Sequence, residues 1–258
     1  MSALLDCTGL SKRFGGLLAL DGLDLHVGRG ETLGLVGPNG SGKTTFFNVI
    51  TGLYNPSGGT AVLAGEDIYA KSPQSIGRAG VARTFQRCRL MLDQTVFDNI
   101  ALGVLRNKPL GLVGTLLRRR RLRSDIEATI ERALHLSRGF NPALGDALFR
   151  PAGDLTMIDR RRVEICRALI ASPRLLLLDE PSAGMTPDET RRLMDDLLAF
   201  RGEAPDLAVI LVEHEMDVIR RVSDRCVVLN FGRKIFDGGF DAMIEDGEVQ
   251  TAYLGSGH

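Results

Sequence analysis

The octapeptide GPNGSGKT, Gly37 to Thr44, constrains this chain more than any other feature. It fits G-x-x-x-x-G-K-[ST], follows the apolar segment TLGLV and opens onto TTFFNVITGL, a helix candidate, so the expected local order is strand, glycine-rich turn, helix. Gly37, Gly40 and Gly42 allow the backbone to curl so that its N–H groups surround a phosphate, and the positive end of the following helix adds to the attraction. Lys43 is placed to reach terminal phosphates and Thr44 to offer its hydroxyl to Mg²⁺; Pro38, Asn39, Ser41 and Thr45 complete the candidate phosphate-binding run. A glycine-rich turn between strand and helix also occurs without any ligand. The full motif in the strand-to-helix context it requires favours nucleotide binding.

A second segment, RLLLLDEPSAGMTPDET, delivers two carboxylates at the carboxyl end of an apolar strand, which is where open α/β sheets bind ligands. Asp179 is the candidate for the Mg²⁺ shell, and Glu180 for orienting or deprotonating an attacking water, help of a kind worth about 10²- to 10⁴-fold. A third apolar run ends in VEHEMD, and its His214 follows at the same sheet edge, a candidate γ-phosphate contact. His26, His135 and His258 have no such context and receive no role.

The remaining chain suits one domain with an insertion. Gly-punctuated, strand-like segments (LLDCTGL, ALDGLDLHV, ETLGLVG, GTAVLAG) come first, and their alternation suggests antiparallel pairing. Amphipathic, Arg-rich stretches run from about Phe97 to Arg138, followed by continuous apolar strands with a helical PDETRRLMDDLLAF between them. That pattern indicates a buried parallel sheet. RCVVLNFGRKIFDGG reads as a hairpin turning at Phe231-Gly232. The run Arg118 to Arg123 could meet anionic headgroups or a partner loop, but reads first as a solvated helix face.

Composition excludes several classes. Lys+Arg and Asp+Glu are both 32, a formal net charge of zero, which removes the overall pull expected of a nucleic-acid binder. The apolar runs fall far below the roughly 20 residues needed to span a bilayer, and MSALLDCTGLSKRF lacks the layout of a secretory signal, so a soluble, intracellular chain is expected. Cys7, Cys88, Cys166 and Cys226 are widely spaced with no CxxC, as for reduced thiols rather than a metal site.

Taken together, these segments resemble the ATPase subunit of an ABC transporter over nearly the whole chain. Gln86 in VARTFQ matches that family's glutamine loop, which contacts Mg²⁺ and the membrane partner; SAGM (182–185) sits where the D-loop belongs; His214 matches the switch histidine. SKRFGGLLALDGLDL, GVARTFQ, TVFDNIALG, DEPSAGMTPDET, VEHEMDVI and VQTAYLG further resemble the branched-chain amino acid uptake subfamily. The resemblance implies an α/β fold, a P-loop ATPase core with an N-terminal antiparallel β subdomain and an inserted helical subdomain. The core is expected over 1–86 and 162–258, the helical lobe over 87–161. It further implies ATP and Mg²⁺ as cofactors and adenine stacking on Phe14. The implied partners are a second ATPase subunit, two membrane permease subunits and an extracytoplasmic solute-binding protein, with no nucleic acid. The implied location is peripheral, at the cytoplasmic face of the membrane.

One stretch departs from the family. Its usual signature is Leu-Ser-Gly-Gly-Gln or close to it, whereas here DLTMIDRRRVEICRAL keeps the register with Leu155, Thr156, Met157, Ile158 and Asp159. Thr156 keeps a hydroxyl able to contact a γ-phosphate. Ile158 in place of glycine is expected to crowd the nucleotide. Thr156 to Asp159 reads as a capping box, T-x-x-D, putting an anion at the helix end where a phosphate should bind. An impaired site of this kind points to an asymmetric pair with a different ATPase chain; tolerated variation is the plainer alternative. Two further readings stay open at this stage: an ATPase of the lipopolysaccharide-export type, and a soluble ABC ATPase or regulator outside transport.

Overall fold

The computed structural model describes residues 3–84, 86, 89–105 and 119–254, with backbone alone for residue 105 and residues 119–122. Phe85, Cys88, Arg118 and His258 lie outside the described residues, so the expectation for the arginine run is left with Arg123, which pairs with Glu127 at 3.0 Å on the exposed face of its helix.

The strands are β1 (Leu5–Phe14), β2 (Leu17–Val27), β3 (Thr32–Val36), β4 (Gly58–Leu63), β5 (Glu66–Asp67), β6 (Val81–Arg83), β7 (Leu175–Asp179), β8 (Ala208–Val212), β9 (Arg225–Asn230) and β10 (Arg233–Gly238). The helices are α1 (Lys43–Ile50), α2 (Pro73–Ala79), α3 (Val96–Leu105), α4 (Arg119–Phe140), α5 (Pro142–Asp146), α6 (Met157–Leu169), α7 (Pro187–Glu203), α8 (Met216–Val222), α9 (Phe240–Glu245) and α10 (Gly247–Leu254).

One compact unit comprises residues 1–86, 174–183 and 201–258. It holds an antiparallel sheet, β2-β1-β4-β5, and a second sheet ordered β10-β9-β3-β8-β7-β6, parallel from β9 to β6 with β10 antiparallel at its edge. The antiparallel expectation for the first four strand segments therefore needs one correction: ETLGLVG supplies β3, between β9 and β8 of the parallel sheet. The reason is visible in its burial. All five residues of β3, like those of β7 and β8, are buried, whereas β1 and β2 alternate between buried and open positions. Phe46 and Phe47 of α1 join leucines of both sheets in one core. The β9–β10 hairpin turns at Phe231 and Gly232, both with positive φ (45° and 79°), the two-residue turn that matches strand twist.

The other unit takes residues 87–173 and 184–200. Its limits differ from the expected lobe of 87–161, because α6 runs unbroken through 161 and 162 and its residues belong with α3 and α4. Gly103 of α3 lies so close to α6 that a Cβ there would sit 2.0 Å from the Arg167 carbonyl oxygen. Buried charge is paired inside the unit: Arg161 donates to Glu164 at 2.8 Å, with side chains 4% and 0% exposed. Phe140 stacks on Phe200 at 5.7 Å between centroids.

Candidate functional site

The candidate residues of the first unit collect at the carboxyl ends of its parallel strands. β3 runs into the glycine turn, β7 ends at Asp179, β8 is followed by Glu213 and His214, and β6 is followed by Gln86.

The turn is held from several sides. Gly37, Gly40 and Gly42 have φ of 143°, 77° and 113°. A Cβ on Gly37 would stand 2.2 Å from the Leu229 carbonyl oxygen and one on Gly42 2.8 Å from that of Ala19, so the turn has no room for side chains at those positions. Ser41 N–H donates to the Pro38 carbonyl at 3.1 Å, and Gly232 N–H to the Ser41 carbonyl at 2.8 Å. Gly37 N–H also donates to the Tyr253 hydroxyl, a contact from α10 to which sequence reading gave no role. The α1 N-terminus has no side-chain cap: Gly42 occupies the cap position and the first turn contains no acidic residue. That leaves the first helical N–H groups, at Lys43, Thr44 and Thr45, available to an anion.

Lys43 is buried, and its Nζ donates to the carbonyls of Gly37 (2.6 Å) and Pro38 (3.0 Å). Burial pushes its ammonium pKa down, while the Asp179 and Glu180 carboxylates push it back up. A phosphate offers this cation stronger acceptors than two neutral carbonyls, so the loop fits a nucleotide. Thr44 is exposed and Thr45 half-buried; Asn39 and Gly40 are exposed at the turn's outer edge. Hydroxyl and carboxylate oxygens at Thr44 and Asp179, with the Gln86 amide, are hard donors of the kind Mg²⁺ takes from proteins when phosphates supply other ligands. Among the described residues no group of three or more His, Cys, Asp or Glu side chains could hold a metal by itself.

Glu180 is the meeting point. Gln86 Nε2 donates to its Oε2 at 2.6 Å, and His214 Nε2 lies 2.9 Å from its Oε1. Its own backbone has φ of 48°, a conformation costing a non-glycine residue about 1–3 kcal/mol, held by its N–H donating to Val212 O at 2.9 Å and its carbonyl accepting from Ala183 N–H at 3.1 Å.

Two residues without an assigned role complete this arrangement. Arg83 pairs with Asp179 at 2.7 Å. Glu213, buried, accepts from Ser182 N–H (2.9 Å) and Ser182 Oγ (2.7 Å), so the first residue of SAGM is tied inward. Burial pushes the Glu213 carboxyl up, against these hydrogen bonds. The signal in the sequence was a charged group at the end of each of two apolar strands, where burial demands a partner.

Phe14 is 41% exposed and meets Tyr54 edge-on at 5.2 Å, with Lys12 Nζ 4.8 Å above its ring. It is thus an open aromatic, available for stacking.

Thr156 lies in the second unit, at the N-cap of α6. The capping box expected there is only half formed. Asp159 N–H donates to Thr156 Oγ1 at 3.3 Å, but the Asp159 carboxylate accepts from the Thr156 hydroxyl at 2.8 Å rather than from the Thr156 N–H. By contrast, Thr186 with Glu189 and Thr95 with Asp98 form both backbone bonds. Asp159 is drawn aside by Asn141 Nδ2 (3.1 Å) and Arg162 (2.8 Å). Burial would raise its carboxyl pKa, but the bonds from Arg162, Thr156 and Asn141 outweigh it and hold the group low. Two expectations are corrected. The anion at this helix end is paired with Arg162, and Ile158, 7% exposed, packs inside instead of presenting its side chain for a nucleotide to meet. Met157, 49% exposed, is the open side chain.

Cys7, Cys166 and Cys226 are buried free thiols; burial pushes Cys7 up to about 12 and Cys226 to about 11.

Comparison with known proteins bears on the whole chain. The family model described as ABC transporter matches residues 20–183. The high-affinity branched-chain amino acid transport ATP-binding protein BraF of Pseudomonas aeruginosa is 38% identical over 252 residues, 98% of each chain. The corresponding LivG protein of Escherichia coli K12 is 37% identical, again over 98% of each chain. Among solved structures, a nucleotide-free ATP-binding cassette from an ABC transporter superposes with a TM-score of 0.83 at 27% identity, covering 98% of this chain and 99% of that one. A cassette in its ADP conformation gives 0.84 at 27% identity, over 99% and 100%.

Proposed function

Since the chain belongs to the ABC transporter family, as an ATP-hydrolysing cassette, we propose that it is the peripheral ATPase subunit of an importer for branched-chain amino acids or related small solutes. It works at the cytoplasmic face of a membrane, beneath two permease subunits supplied by an extracytoplasmic binding protein. No helix among the described residues is long and apolar enough to cross a membrane. The solute is taken from the relatives named above, because no residue of an ATPase subunit need touch it.

The observation that carries the reading is the Glu180 carboxylate, held between Gln86 and His214 in the same unit as the phosphate turn with Lys43. Lys43 and the N–H groups of 40–45 bind the phosphates; Phe14 offers its face to adenine. Glu180 accepts a proton from the attacking water while the Gln86 amide and the His214 ring fix its two oxygens. Thr44 and Asp179 would hold Mg²⁺ together with the nucleotide, and the bound ion would supply positive charge to offset that developing on the phosphoryl oxygens.

The second ATPase subunit is a different chain. Support comes from α6: the Thr156 hydroxyl is spent on Asp159, so the segment that would close over a partner's nucleotide offers fewer free donors than a glycine-rich signature.

Reconstitution in vesicles with candidate permeases, binding protein and second ATPase tests the proposal. The expected result is Mg²⁺-dependent ATP hydrolysis stimulated by leucine, isoleucine or valine, with uptake of the same solute. Hydrolysis that never responds to binding protein and solute would overturn it.

A further inference from the structure

Arg83 ends β6, behind the buried Val81 and Ala82, and its side chain is 7% exposed. Its Nη2 donates to Asp179 Oδ2 and its Nη1 to Asn48 Oδ1, each at 2.7 Å, and the guanidinium lies 5.2 Å from the Phe47 ring centroid. Three positions later, Gln86 Nε2 donates to Glu180 Oε2 at 2.6 Å. One short segment thus sends a donor to each of two successive carboxylates, a full positive charge to the first and a neutral amide to the second. Lys43, a further cation near these carboxylates among the described residues, bonds to loop carbonyls. The assignment of Arg83 to Asp179 also has a rigid basis. A planar fork anchored on Asn48 and lying over Phe47 fixes where its second nitrogen points, which a lysine could match only as a point charge.

We propose that Arg83 is the protein's own counter-cation for Asp179, holding the carboxylate in a fixed orientation before a divalent cation arrives and setting how tightly that cation is then bound. The inference rests on the reading of Asp179 as the Mg²⁺ carboxylate. A carboxylate shared between a guanidinium and a divalent ion is held less firmly by each, and the two cations repel across a poorly hydrated gap. Arg83 therefore stabilises the metal-free protein and restrains its metal affinity. Removing it must move these two properties in opposite directions, whereas damage to folding would weaken both.

The test uses the full chain with Arg83→Met, Arg83→Lys, Asp179→Asn and the Arg83→Met/Asp179→Asn double variant. Thermal unfolding is followed in chelator and in MgCl₂, and Mg²⁺ is titrated into protein holding a fluorescent ATP analogue. For Arg83→Met the melting temperature in chelator falls by about 5 °C, MgCl₂ alone recovers part of it, and half-saturating Mg²⁺ drops about 5- to 10-fold. Arg83→Lys shifts half-saturation by less than about twofold, because the charge is kept. In the Asp179→Asn background the Arg83→Met effect on Mg²⁺ disappears. If Arg83→Met fails to give soluble protein, Arg83→Gln, which keeps a donor towards Asn48, is titrated in the same way. Unchanged or weaker Mg²⁺ dependence in the neutral variants, with the parent responding normally, overturns the role of Arg83. A parent that binds the analogue with no response to Mg²⁺ overturns instead the reading of Asp179.

Discussion

Glu180 carries a left-handed backbone, a bond from Gln86 and a bond from His214 at one position. Its replacement by Gln should leave ATP-analogue binding near the parent level and lower hydrolysis about 10²- to 10⁴-fold, measured as single-site turnover against binding affinity. Glu213 lends itself to a pH experiment. Burial raises its folded pKa above the ordinary 4.5, so the folded state binds the proton more tightly than the unfolded chain. Its stabilising contribution is complete below that ordinary value and lost as pH rises through the raised one. Urea midpoints of the parent should therefore decline with rising pH by an increment that Glu213→Gln lacks; equal slopes would count against the assignment. Glu180 and His214 are legible in the sequence because strand ends in such sheets face ligands. Arg83 and Glu213 are not, because their importance lies in residues 96 and 31 positions away.

Among the elements, the β9–β10 turn combines Phe231, 83% exposed with φ of 45°, and Gly232, whose Cβ would stand 2.8 Å from Ala19 O. Phe231→Asn, the residue this turn prefers, should stabilise the isolated chain by about 0.5–1 kcal/mol in denaturant unfolding. The turn itself was legible from the Phe-Gly pair between apolar runs. The N-terminus of α6 was legible only in part. T-x-x-D announced a cap, and Thr156 is the cap, but the carboxylate's direction was decided by Asn141 and Arg162, partners that local pattern does not specify.

For the assembled molecule, the half-formed cap at α6 leads to an inequality. In a complex with a second ATPase subunit, Glu180→Gln here should reduce ATP hydrolysis by a different factor from the matching substitution in the partner; equal losses would sink the asymmetric pairing. The sequence by itself determined the glycine turn, the apolar strands that carry carboxylates to one edge, and hence the α/β class, because backbone sterics and hydrophobic periodicity act over a few residues. Only the tertiary structure decided that TLGLV joins the parallel sheet, that Ile158 points inward, and that Asp179 is already paired with Arg83. Those outcomes depend on which distant segments become neighbours, and burial makes every charge that arrives there find a partner.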